Sequence, residues 1–208
     1  MPDFLIDRAV APRAVLVLAH GAGAPMDSDF MQQVAEGFCR AGITVYRFEF
    51  PYMRERRLHG TKRPPNRQPE LISAWQQALI EVTAAETLPV FIGGKSMGGR
   101  MACILAGVEA VSAVVCFGYP FHPPGKPDKT RLTPLQQSRC PVFIAQGSRD
   151  KLGSAEDIAD YQLGNQVTLH WLEDGDHDLK PRVRSGFTHD QHIQGALRAA
   201  TGFIDTYL

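Results

Sequence analysis

Five consecutive residues carry the strongest chemical signal in this chain: Gly94-Lys95-Ser96-Met97-Gly98. A serine on a sharp turn from strand to helix is forced into a strained backbone conformation with its hydroxyl exposed. Strand and helix then approach each other near the positions two before and two after it, where only very small side chains fit. Gly93, Gly94, Gly98 and Gly99 meet that demand on both sides of Ser96. The helix that follows aims the partial positive charge of its N-terminus at the reacting group. The pattern alone arises by chance in roughly one chain in fifteen of this length, so its surroundings decide. Val90-Phe91-Ile92 reads as a strand just before it, and Met97, Met101, Ile104 and Leu105 make a helical stripe just after. The same residues do not complete a phosphate-binding loop, because the position that needs the first glycine is Pro89. Lys95 is read as a solvated or surface-packed side chain.

A serine hydroxyl is a weak nucleophile near neutral pH. It needs a base, and the base needs an acid to orient it. Which residues could serve depends on the elements that carry them. Short runs rich in Val, Ile and Phe recur along the chain: Leu16 to Leu18, Ile43 to Tyr46, Val90 to Ile92, Val111 to Phe117, Val142 to Ile144 and Val167 to Leu172. Bounded by Gly or Pro, they read as buried parallel strands. Between them lie helical stripes: Met31, Val34, Ala35 and Phe38; Leu71, Trp75, Ala78, Leu79 and Val82; Ile193, Leu197, Ala200, Ile204 and Tyr207. Thr188 and Gln191 give the last helix a capping box. The alternation predicts an α/β fold, a three-layer α/β/α sandwich on a mostly parallel twisted sheet of six to seven strands, with one domain over residues 1–208.

In open α/β sheets ligands bind at the carboxyl ends of the strands. Asp150 follows the strand around Val142 to Ala145. His177 follows the strand ending at Leu172, in Glu173-Asp174-Gly175-Asp176-His177. Of the seven histidines, His189 is the one rival, and the chain order serine, acid, histidine favours His177. The plain alternatives are a turn acid at 150 and a solvated histidine among aspartates at 177. No second histidine stands at metal-ligand spacing from His177. Two stretches break the alternation. Residues 50–69 hold Arg54, Arg56, Arg57, Lys62, Arg63 and Arg67 against Glu55, and residues 119–134 are rich in proline. The basic stretch is read as a loop. It either favours an anionic acyl or leaving group or is balanced by acids elsewhere.

Composition excludes several other classes. The chain of 208 residues is 44% hydrophobic and 21% charged, which fits a folded globular protein. Lys plus Arg and Asp plus Glu are 22 each, so no global basic field points to nucleic acid or membrane lipid. No apolar run approaches the roughly 18 residues of a spanning helix, and with no basic region and long apolar stretch after Met1-Pro2-Asp3, a secretory signal is not expected. Cys39, Cys103, Cys116 and Cys140 are widely spaced, without Cys-x-x-Cys. Buried free thiols in a reducing, cytoplasmic setting are expected.

His20-Gly21-Ala22-Gly23, Gly93 through Arg100, and Gly118-Tyr119-Pro120-Phe121-His122-Pro123-Pro124-Gly125-Lys126 together carry a resemblance. The chain resembles the α/β-hydrolase superfamily over nearly its whole length, and within it the small, dienelactone-hydrolase-like branch with minimal or no lid. The resemblance implies a Ser96–His177–Asp150 triad and hydrolysis of an acyl bond. It implies oxyanion stabilisation by the Met97 backbone N–H and by one from the early loop, with Ala22 favoured and Gly21 or Gly23 as alternatives. His20 would brace that loop. Dienelactone hydrolase itself usually carries a cysteine nucleophile, so lactone opening is not implied. The expected substrate is a small-molecule ester or thioester, with no metal or organic cofactor required. A non-catalytic binding protein on the same fold, or an acyltransferase, is the alternative.

Overall fold

The computed structural model describes residues 3–208; Met1 and Pro2, the start of the segment read for a secretory signal, lie outside them. A seven-stranded sheet forms the frame, in the order β1-β3-β2-β4-β5-β6-β7. The strands are β1 (Phe4–Asp7), β2 (Ala14–Ala19), β3 (Ile43–Phe48), β4 (Val90–Lys95), β5 (Val114–Phe117), β6 (Val142–Gly147) and β7 (Val167–Leu172). All neighbours run parallel except β1, which pairs antiparallel with β3, Phe4 opposite Phe48 and Leu5 opposite Arg47.

Strand β2 shows why the sheet is covered on both sides. All six of its residues are buried. Side chains alternate across a strand, so Val15, Val17 and Ala19 enter one core, while Ala14, Leu16 and Leu18 enter the other. The first core lies against helices α3 (Gln68–Ala85) and α4 (Met97–Leu105), and the second against α1 (Asp29–Arg40) and α6 (His189–Asp205). The stripes expected on α1 and α3 are buried as read. Each such large side chain contributes about 1.5–3 kcal/mol relative to exposure. The Thr188–Gln191 capping box is formed in both directions. On α6 the buried stripe ends at Ile204; Tyr207 lies beyond the helix and is exposed.

Two further elements differ from the sequence reading. The run 111–117 is a strand only from Val114; before it, the Ser112 amide bonds across to the Val90 carbonyl at the start of β4. The basic stretch is not all loop: Pro51–His59 forms helix α2. Pro51 supplies a preset φ in its first turn, and Gly60 ends it at φ 67°. Arg57 grips Asp27 and Glu49, Arg54 pairs with Asp3, and Arg63 approaches Glu55. Three of the six cations of that stretch, Arg54, Arg57 and Arg63, thus face acids. After Leu132, the proline-rich segment forms one short helix, α5 (Thr133–Gln136). No inserted helical cap covers the carboxyl edge among the described residues. No described helix is long and apolar enough to cross a membrane.

Candidate active site

Ser96 stands at the junction of β4 and α4 with φ 52° and ψ −114°. A positive φ at a residue with a Cβ is strained, and its flanks hold it there. A Cβ at Gly94 would strike the Ala19 carbonyl oxygen, and one at Gly98 would come within 2.6 Å of the His20 carbonyl oxygen. Glycine at both positions lets β4, β2 and α4 close around the turn.

The structure brings Ser96, His177 and Asp150 together in one line. His177 Nε2 lies 2.8 Å from Ser96 Oγ, and His177 Nδ1 lies 2.7 Å from Asp150 Oδ2. Asp150 is fully buried. Its other oxygen accepts from the Leu152 amide at 2.8 Å, and Gln146 Nε2 donates to Oδ2 at 2.9 Å. Gln146 also donates to the carbonyls of Gly153 and Tyr119. A carboxylate held on both oxygens can orient the imidazole and balance the charge it gains on taking a proton. His189, the rival, bonds the Asp178 carbonyl instead, and His192 bonds that of Leu179.

The aspartates around His177 shape its loop. Asp176 accepts from the amides of Asp178 and Lys180. Asp174, at φ 57°, is bound by Arg182 and Arg149. Hydrogen bonding from Arg182 holds the Asp174 carboxyl well below its ordinary range. Among the described residues, no cluster of three or more His, Cys, Asp or Glu side chains is arranged to hold a metal ion.

Lys95 is not solvated. It is 8% exposed, and its Nζ donates to the His177 carbonyl at 2.7 Å and approaches Asp178 Oδ1 at 3.2 Å. Burial lowers the Lys95 ammonium below its ordinary value, although Asp178 raises it. For Asp178, burial pushes the carboxyl up, but the combined pull of Lys95, His177 and His189 makes the net shift downward. Neither contact has a local sequence signal, because Lys95 and Asp178 meet only once β4 and the loop after β7 lie side by side.

The early loop, residues 20–23, is braced from behind. His20 Nε2 accepts the Phe50 amide at 3.1 Å. That bond fixes the proton on Nδ1, which donates to the Gly21 carbonyl at 2.6 Å. Burial holds the His20 imidazole below its ordinary value, in keeping with a neutral ring. The Tyr52 hydroxyl donates to the carbonyls of Gly21 and Ala22, and Arg56 reaches that of Gly23 at 3.4 Å. Tyr52 belongs to no motif in the sequence. The one available signal is its place just after β3, at the carboxyl edge. With their carbonyls occupied, Gly21, Ala22 and Gly23 wall the same cavity as Ser96, His177 and Lys95. The cavity measures about 490 Å³, and Phe30, Met31 and Leu152 make its apolar surface. A larger one, about 590 Å³, opens between Phe48, Arg54 and α3 but contains none of these groups. Size therefore does not mark the site; the hydrogen-bonded line does.

Several solved structures share the fold. Est1E from Butyrivibrio proteoclasticus, solved with ferulic acid bound, superposes with a TM-score of 0.71 at 14% identity, covering 99% of this chain and 95% of that one. The esterase domain of a Rhodothermus marinus protein gives 0.71 at 16%, covering 98% and 92%. XC6422 from Xanthomonas campestris, an α/β serine hydrolase without a lid, gives 0.64 at 20%, covering 95% and 87%. At such identities the likeness shows the fold. The family is shown by the sequence itself: residues 12–205 match the model of the alpha/beta hydrolase domain, and the chain belongs to that family.

Proposed function

We propose that this protein is a serine hydrolase that cleaves an ester or thioester of a small acyl substrate, with the whole chain acting as one domain. The observation that carries the reading is the continuous line from Ser96 Oγ through His177 to the fully buried Asp150. Ser96 Oγ attacks the substrate carbonyl carbon while His177 Nε2 takes the hydroxyl proton. The tetrahedral intermediate collapses, the bond to the leaving group breaks, and His177 returns the proton to the departing oxygen or sulfur. Water then attacks the acyl-enzyme and gives a proton to His177. The carboxylic acid leaves and Ser96 recovers its hydrogen.

The oxyanion is assigned to two backbone N–H groups. The Met97 amide is the first of α4 and has no partner within the helix. Ala22 lies in the braced loop facing the same cavity. A donor of this kind contributes about 2.7–4 kcal/mol in the transition state. The cavity's volume and its Phe30, Met31 and Leu152 surface support a small, mainly apolar acyl group. The four free thiols suit a reducing, cytoplasmic setting.

Labelling with a fluorophosphonate tests the reading. Wild type is expected to label, and Ser96→Ala and His177→Ala are not. Equal labelling of all three proteins would remove the assignment, and wild-type labelling of His177→Ala alone would remove the base.

A further inference from the structure

A third cavity, of about 440 Å³, opens on the outer side of α4 and shares no residue with the one at Ser96. Two arginines line it: Arg100 from α4, and Arg131 from the segment after β5. Their surroundings differ from those of most of the protein's other buried or half-buried arginines. Arg13, Arg47, Arg54 and Arg149 each hold a carboxylate, and Arg56 reaches only the Gly23 carbonyl. Arg100 Nε is buried and has no hydrogen-bond partner. Burial and the like charge of Arg131 both lower the Arg100 guanidinium below its ordinary value, and among the described residues no carboxylate pairs with it. For Arg131 the guanidinium contact is one long bond, 3.5 Å to the Pro120 carbonyl. A buried donor without a partner costs stability, and two like charges side by side add to that cost.

We infer that this cavity is a binding site for a small phosphate monoester. A phosphate monoester carries a charge of roughly −1.5 to −2 near neutral pH, which matches two guanidiniums, whereas a carboxylate supplies one charge. Guanidinium forks suit phosphate oxygens, and Thr130, Thr133 and Gln137 add hydroxyl and amide groups at the rim. The cavity is much larger than a phosphate ion, and Ile104, Val108 and Pro134 line part of it. The ligand therefore carries an organic body, and bare phosphate fills only the charged end. Arg100 lies one turn from Ser96, its amide bonding the Ser96 carbonyl at 3.0 Å, so the occupied site abuts the helix that bears the serine.

Isothermal titration calorimetry with phenyl phosphate, inorganic phosphate and benzoate tests the inference. Phenyl phosphate is expected to bind saturably, at least about tenfold tighter than either of the others. Arg100→Gln and Arg131→Gln, each with a wild-type circular dichroism spectrum, are each expected to weaken it at least about tenfold. Ser96→Ala is expected to bind as wild type does. No saturable binding at millimolar phenyl phosphate, or unchanged affinity in the arginine variants, would overturn the site. Benzoate binding equally well would overturn the phosphate class. Loss of binding in Ser96→Ala would place the ligand in the other cavity and overturn the inference.

Discussion

Lys95 Nζ donates a 2.7 Å hydrogen bond to the backbone carbonyl of His177, so the strand that presents the proposed nucleophile also grips the loop that presents the proposed base. The same ammonium faces Asp178 across 3.2 Å. A side chain that looks spare in the Gly-x-Ser-x-Gly pattern thus ties together the segments that carry two of the three proposed catalytic residues.

Lys95→Met should free that loop. Misplacement of a catalytic group by about 1 Å can cost on the order of 10²-fold in rate. The expected outcome is a kcat on p-nitrophenyl acetate lowered by about one to two orders of magnitude, with KM nearly unchanged. Faster amide exchange across residues 173–179 should accompany it. A variant with wild-type kcat would show that the bond is incidental.

The buried end of the line should respond in two grades. Asp150→Asn is expected to lower kcat by roughly 10³- to 10⁴-fold, since the imidazole loses its orienting charge. Gln146→Leu leaves that charge in place but removes the donor 2.9 Å from Asp150 Oδ2. Loss of such a supporting contact should cost about 10- to 100-fold in activity and about 1–3 kcal/mol in stability. Steady-state kinetics with urea melts would separate the two effects; equal losses in the two variants would argue against this grading.

Glycine at the elbow is a steric requirement and can be measured as one. Gly98→Ala would drive a methyl against the Ala19 and His20 carbonyls, with an expected loss of about 1–3 kcal/mol or more. A methyl at Gly23 would meet no atom within 4 Å, and Gly23→Ala should stay within about 0.5 kcal/mol of wild type. Chemical denaturation of the pair decides it, and similar midpoints would refute the packing argument.

Acid should loosen the early loop. Burial lowers the folded-state pKa of His20, while the unfolded value is about 6.5. Between the two, the unfolded chain binds the extra proton, so stability falls as pH drops through about 6.5. A protonated ring also cannot accept the Phe50 amide. His170, likewise lowered by burial, adds to the same slope. Urea midpoints near pH 7.5 and 5.5 should therefore fall more for wild type than for His20→Asn. Identical falls would exonerate His20.

How much of this is legible in the sequence follows the range of each signal. The elbow is local, so five residues and their flanking strand and helix reveal it. Asp150 and His177 are legible because each follows a strand, and strand ends gather at one edge. Strand β1 is four residues long and half polar in its neighbourhood, and only its pairing with β3 defines it. Helix α2 carries arginines around most of its circumference, so no apolar stripe marks it. Its ends, Pro51 and Gly60, are the readable part. Lys95, Tyr52 and Gln146 act through partners far along the chain, and a charge or hydroxyl acquires its role only from the neighbour that folding supplies.

The unusual dihedral angles at position 96 belong to the main chain and its glycine neighbours, not to the hydroxyl. A thiol would therefore sit in the same socket with no rearrangement of strand or helix, changing reactivity by one atom. Shifting the reactive group by a single residue in either direction would instead demand a new junction. The architecture leaves the identity of the proposed reactive atom open to change while fixing where it must be.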